Sequence, residues 1–122
     1  MYVKEVETLL GIDRDTIRFY ISKGLIQPER DESRYRIYTD ETVQTLKRIL
    51  VLRDLGFGIQ QIKALINGAK ALDSKELKAR IDALSRERED ARRAIDICSD
   101  MIVHGDKMDF DPDPYFRRRI DR

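Results

Sequence analysis

Few residues in this chain are equipped for bond-making chemistry. There is one cysteine, Cys98, and one histidine, His104. A mononuclear thiolate site needs more than one soft ligand, and His104, six residues on, cannot complete one alone. Asp106, Asp109, Asp111 and Asp113 form a loose acidic run without the loop pattern of a calcium site, so they read as solvated. No glycine-rich phosphate loop follows a strand, and no nucleophile stands beside an evident base. Catalysis therefore finds no support, and neither a metal nor a cofactor is expected.

The composition bounds the rest. With 122 residues, the chain has room for about one domain and an appended element. Hydrophobic residues make up 41% and charged residues 39%, too apolar for a disordered chain and too charged for a membrane segment. No apolar run approaches the roughly 18 residues a membrane helix needs. The start, MYVKEVETLL, lacks a basic segment followed by a long apolar one, so no signal peptide is expected. A single cysteine fits a reducing cytoplasm. Net charge is +1, split as +2 over residues 1–70 and −1 over the remainder. Any nucleic-acid binding must come from local patches.

The elements that position side chains follow from periodicity and punctuation. Val3, Val6, Leu9 and Leu10 lie at helical spacing and Gly11 stops them. Asp13 is placed to cap a second helix over about Arg14 to Lys23, carrying Ile17, Tyr20 and Ile21 on one face and ending at Gly24. Two short helices joined by a tight glycine turn are a helix-turn-helix signature. Tyr35 to Tyr38 alternates and is rich in β-formers, so it reads as a strand, with polar Glu29 to Ser33 at the tip of a two-stranded wing. Thr39 can cap a third helix bearing Val43, Leu46, Ile49, Leu50 and Leu52, ending at Gly56. Phe57 is expected in the core. Gly58 opens a fourth helix with Ile59, Ile62, Leu65 and Ile66.

A long helix follows, begun by Asp73 and Glu76 as a capping box. Leu77, Ile81, Leu84, Arg88, Ala91, Ile95, Cys98 and Ile102 step by alternating four and three residues, a heptad seam with one polar interruption at Arg88. About 30 residues at 1.5 Å each give a helix near 45 Å. So narrow and long a stripe predicts a coiled coil with a second copy of the chain; the stripe does not decide strand direction. Arg88 either sets the register or lets its stem snorkel to solvent. Gly105 ends the helix, and Pro112 and Pro114 forbid its continuation. The tail FDPDPYFRRRIDR either folds back or leads to a further domain. Its run Arg117-Arg118-Arg119 reads as solvated or as linker.

Three separated motifs in this order, TIRFYISKGLIQPER (Thr16 to Arg30), YRIY (Tyr35 to Tyr38) and LRDLGFGIQQIKALI (Leu52 to Ile66), resemble the MerR family of bacterial transcription regulators. The likeness spans about residues 3–66. It implies a mostly α winged helix-turn-helix with a β-hairpin wing, then a long helix forming an antiparallel coiled-coil dimer. By that likeness residues 1–70 form the DNA-binding domain, 71–105 the dimerisation helix and 106–122 the tail. The second helix would enter the major groove. Arg14, Thr16, Arg18, Phe19 and Tyr20 match it, with Arg18 at a base edge or phosphate and the two aromatics on the DNA backbone or in the core. Lys23 would meet phosphate. Tyr35, Arg36 and Tyr38 would clamp the flanking backbone, and Lys63 in the fourth helix would reach phosphate. Three positions depart from the family pattern. Arg34 stands where a wing glycine is usual and either alters the turn or adds a contact. Glu7 replaces a small residue, and Gly58 caps its helix without a side chain.

The resemblance also implies double-stranded DNA with a palindromic operator as partner, a homodimer, promoter distortion that serves RNA polymerase, and no membrane. A rival reading is an architectural or partner-binding module with secondary, non-specific DNA binding.

Overall fold

The structure, a computed structural model, describes residues 1–118; Arg119, the last of the basic run, lies outside the described residues. The chain divides into two units, Met1–Asp73 and the part from Ser74 onward.

In the first unit, α1 (Val3–Leu10) starts where the Tyr2 N–H donates to Glu5 Oε1 at 3.2 Å. In α2 (Arg14–Ser22), Asp13 caps as its spacing predicts, with Oδ1 accepting from the Thr16 N–H at 2.8 Å. That hydrogen bond holds the Asp13 carboxyl below its usual range, because it favours the ionised form. The chain leaves α2 through Gly24 at φ 75°, a left-handed conformation that a side chain would strain.

The hairpin differs from its sequence reading. Strands β1 (Glu29–Arg30) and β2 (Arg36–Ile37) pair antiparallel, Glu29 opposite Ile37 and Arg30 opposite Arg36. The first two residues expected at the tip, Glu29 and Arg30, thus supply the first strand, and the tip is 31–35. The cause lies upstream. Leu25 and Ile26 are drawn into the core, each 5% exposed, and Pro28 has no N–H to donate. Pairing can begin only at Glu29. Beyond β2, Tyr38 exchanges backbone hydrogen bonds with Met1 at 2.7 and 2.9 Å, so the first residue of the chain extends the hairpin.

Helix α3 (Asp40–Asp54) is capped by Thr39, whose Oγ1 accepts from the Thr42 N–H at 3.2 Å. Gly58 has no side chain with which to cap α4 (Ile59–Ile66). Gln61 compensates from inside the helix, its Oε1 accepting from the Gly58 N–H at 2.8 Å. Val6, Ile17, Leu46, Ile49 and Ile62 are each 0% exposed, one or more from every helix of the unit. Burial of each such side chain contributes about 1.5–3 kcal/mol. Phe57 joins them at 4% exposure.

The second unit is built on α5 (Ser74–His104), 31 residues with none buried. Its apolar stripe is open: Leu77, Ile81, Leu84, Ile95 and Ile102 are all exposed, and so is Cys98. The tail folds back on the end of this helix through α6 (Asp113–Phe116). Tyr115 is buried, its hydroxyl hydrogen-bonded to His104 Nδ1 at 2.7 Å and to Asp106 Oδ2. Arg118 lies over the Tyr115 ring and reaches Asp100 at 2.6 Å. Arg118 is therefore an ordered tie within the tail, not a purely solvated charge. No helix among the described residues is long and apolar enough to cross a membrane.

Candidate nucleic-acid interface

The solvent face of α2 and the wing enclose a cleft of about 280 Å³ lined by five arginines, Arg14, Arg18, Arg30, Arg34 and Arg36, with Tyr2, Tyr35 and Tyr38. The helical period explains the α2 contribution. Ile17 and Tyr20 face the core, which turns Arg14 and Arg18 outward together, four residues apart. Arg14 Nε donates to Glu7 Oε1 at 3.0 Å, so the acidic residue on α1 holds the first residue of α2. Arg18 is 3.8 Å from Asp15, both largely exposed, a pair that water screens. Thr16 is half-buried in the first turn.

The aromatics separate. Phe19 is 42% exposed and carries Lys23 Nζ 5.5 Å above its ring, whereas Tyr20 is 5% exposed. Tyr20 therefore belongs to the core and cannot lay its ring on a DNA backbone. Tyr38 is corrected likewise. At 2% exposure it is core, forming the floor of the cleft instead of an outer clamp. Burial pushes its phenol up, while the positive charges of Arg36, Arg18 and Arg30 pull it back.

On the wing, Tyr35 is 67% exposed and Arg36 half-buried. Arg34 has φ 66°, the one non-glycine residue among those described with positive φ. The wing turn therefore keeps the left-handed conformation that a glycine would adopt freely, and Arg34 occupies it while placing a cation on the cleft. Lys63 sits elsewhere, its Nζ beside Gly24 at the C-terminal end of α2, where a cation is favoured by the helix dipole.

Four residues that shape this region were not singled out in the sequence: Tyr2, Glu7 as the partner of Arg14, Arg30 and Asp31. Arg30 lies within the first motif and could have been chosen from it. Tyr2 and Asp31 are far apart in sequence, and no local spacing couples them. Among the described residues, no group of three or more His, Cys, Asp or Glu side chains is arranged to hold a metal ion.

Residues 1–69 match the family model described as MerR HTH family regulatory protein. The mercuric resistance operon regulatory protein of Bacillus cereus is 34% identical over 101 residues, 75% of this chain and 74% of that protein. Other curated relatives are matched over about half their length. Among solved structures, the N-terminus of a Bacillus subtilis multidrug transporter activator superposes with a TM-score of 0.72 at 23% identity, covering 84% of this chain and 97% of that one. HiNmlR, a MerR family regulator lacking the sensor domain and bound to promoter DNA, superposes with a TM-score of 0.59 at 21% identity over 84% of this chain and 86% of that one. With the helix-turn-helix, the wing and the long helix all in place, the chain belongs to the MerR helix-turn-helix family of DNA-binding transcription regulators.

Proposed function

We propose that two copies of this chain bind a palindromic operator in double-stranded DNA, distort it, and so control a promoter used by RNA polymerase in the bacterial cytoplasm. The observation that carries this reading is the five-arginine cleft shared by α2 and the wing. Arginines from a helix that fits the major groove and from a hairpin beside it can grip one strand at two places. Arg18 is the base or primary phosphate contact. Arg14, Thr16, Phe19 and Lys23 support it along α2, and Arg34, Tyr35 and Arg36 hold the flanking backbone. Lys63 adds charge at the end of α2. The mercuric resistance regulator and the promoter-bound relative support a role in transcription. The chain acts by binding, without catalysis or a cofactor.

Residues 1–70 bind DNA, residues 71–105 dimerise, and residues 106–122 form the tail, whose described part, up to Arg118, folds back on the end of α5. The exposed stripe of Leu77, Ile81, Leu84, Arg88, Ala91, Ile95, Cys98 and Ile102 is the dimer seam. Charge favours an antiparallel pair. Basic residues are in excess over Ser74 to Arg88 and acidic residues over Glu89 to His104, so antiparallel copies place opposite signs together. The fullest overlap then sets Leu77 beside Ile102 of the other copy, Ile81 beside Cys98, Leu84 beside Ile95, and bulky Arg88 beside small Ala91.

The test is selection of bound duplexes from a randomised pool, repeated with Arg18→Ala. A palindrome enriched by the native chain and lost by the variant supports the reading, with a cost near 1–3 kcal/mol at the contacted position. Binding without any enriched sequence, weak, salt-sensitive and indifferent to Arg18, would replace it with the architectural module.

A further inference from the structure

The wing tip is tied down by a residue far from it in sequence. Asp31 uses both carboxylate oxygens within the protein. Oδ1 accepts from the Tyr35 N–H at 3.0 Å, and Oδ2 accepts from the Tyr2 hydroxyl at 2.7 Å. Its backbone closes the same loop, with Asp31 N–H donating to Tyr35 O at 2.8 Å and Arg34 N–H donating to Asp31 O at 2.9 Å. Arg30 adds a bond of 2.7 Å to Arg34 O. The Tyr2 ring meets the Tyr35 ring edge-on at 6.4 Å and 82°. Tyr2 is itself fixed, because Met1 is paired with Tyr38 and Tyr2 begins α1.

The Asp31 oxygens are occupied by an uncharged phenol and by backbone N–H groups of the wing tip. The strained turn at Arg34 is held from both sides, through its N–H by Asp31 O and through its carbonyl by Arg30. The Tyr2 bond holds the Asp31 carboxyl below its usual range, while Asp31 pushes the Tyr2 phenol up.

We propose that Tyr2 and Asp31 form a latch that positions the wing, so that Arg34, Tyr35 and Arg36 engage the DNA backbone from a preset geometry. Tyr2 and Asp31 are positioning residues in this scheme and need no contact with DNA. The inference rests on the DNA-binding reading above and adds to it the residues that control how many wing cations reach phosphate.

The test uses the salt dependence of binding. The slope of log affinity against log salt counts the phosphates neutralised, about 0.9 for each. Tyr2→Phe removes one uncharged hydroxyl. If Tyr2 only touches DNA directly, affinity falls and the slope stays. If it is the latch, affinity falls several-fold and the slope also drops, by roughly one or two, as wing cations disengage. Asp31→Ala breaks the latch from the other side and gives the same drop, and the double variant adds nothing further. Asp31→Asn keeps both bonds, its amide donating to the Tyr2 oxygen, and restores the native slope. The full chain is titrated with a duplex selected from the randomised pool, and thermal melts verify that each variant is folded. Should Tyr2→Phe fail to fold, the Asp31→Ala and Asp31→Asn pair decides. A native slope in Tyr2→Phe, or in Asp31→Ala, overturns the latch. A native chain that binds no duplex at all overturns the DNA-binding reading instead.

Discussion

Glu7 of α1 holds Arg14, the first residue of α2, through a hydrogen-bonded ion pair of 3.0 Å. The acid occupies a position that packs helix against helix, and it does so by turning its carboxylate to the cleft arginine. In the free protein Arg14 is thus partly neutralised and oriented. Glu7→Gln should leave a hydrogen bond and remove the charge. DNA affinity at low salt is expected to rise a few-fold, since a carboxylate beside the phosphates is gone. Because the pair is exposed and screened, stability should change by less than about 1 kcal/mol. Weaker binding of Glu7→Gln in a fluorescence titration would mean that the charge of Glu7 is needed to aim Arg14.

Arg34 should show stability and function moving in opposite directions. Its φ of 66° costs a side-chain-bearing residue about 1–2 kcal/mol, partly offset in glycine by the entropy of a freer unfolded chain. Arg34→Gly is therefore expected to leave stability unchanged or raise it by up to about 1 kcal/mol, read from denaturant unfolding. The same variant removes a cation from the cleft, so DNA binding weakens and its salt slope falls by about one. A variant that loses stability would show that the Arg34 side chain contributes more to the wing than its backbone strain costs.

The tail lock should open at high pH. The hydrogen bond from Tyr115 to Asp106 pushes its phenol up from 10.0 to about 12. A folded pKa raised above the unfolded value means that the contribution is complete below pH 10 and is lost as pH rises from about 10 to about 12. An ultraviolet titration of the five tyrosines should show a late ionisation near 12 that disappears in Tyr115→Phe. If the ionisation that the variant loses lies near 10 instead, Tyr115 is not bonded to Asp106 in solution.

The dimer seam can be read with the native thiol. In the antiparallel register Cys98 of one copy lies beside Ile81 of the other, while the two native thiols are far apart. Mild oxidation of the native chain should give monomer on a non-reducing gel, and Ile81→Cys should give a disulfide-linked dimer in high yield. A native Cys98–Cys98 link would indicate parallel helices. Leu84→Asp, which places a charge in the seam, should shift the dimer to monomer in sedimentation at micromolar concentration.

Much of the scaffold follows from local rules that the sequence states openly. Asp13 and Thr39 cap because their side-chain oxygens reach N–H groups three residues on, a distance fixed by the helix itself. The apolar stripe from Leu77 to Ile102 is legible because its period repeats along α5, a helix of 31 residues. Local rules also placed the helices bearing the core, and the motif order pointed to the family. Tertiary packing decided what such rules cannot. Tyr20 and Tyr38 share their residue type with Tyr35, yet the first two are buried and the third exposed, since the packing of the helices selects which ring has room inside. The wing register moved because Leu25 and Ile26 were taken by the core. Above all, the latch joins Tyr2 to Asp31 and the cleft gathers arginines from α2, β1, the wing tip and β2. Such meetings depend on how the chain closes on itself across many residues, and neither periodicity nor spacing encodes that closure.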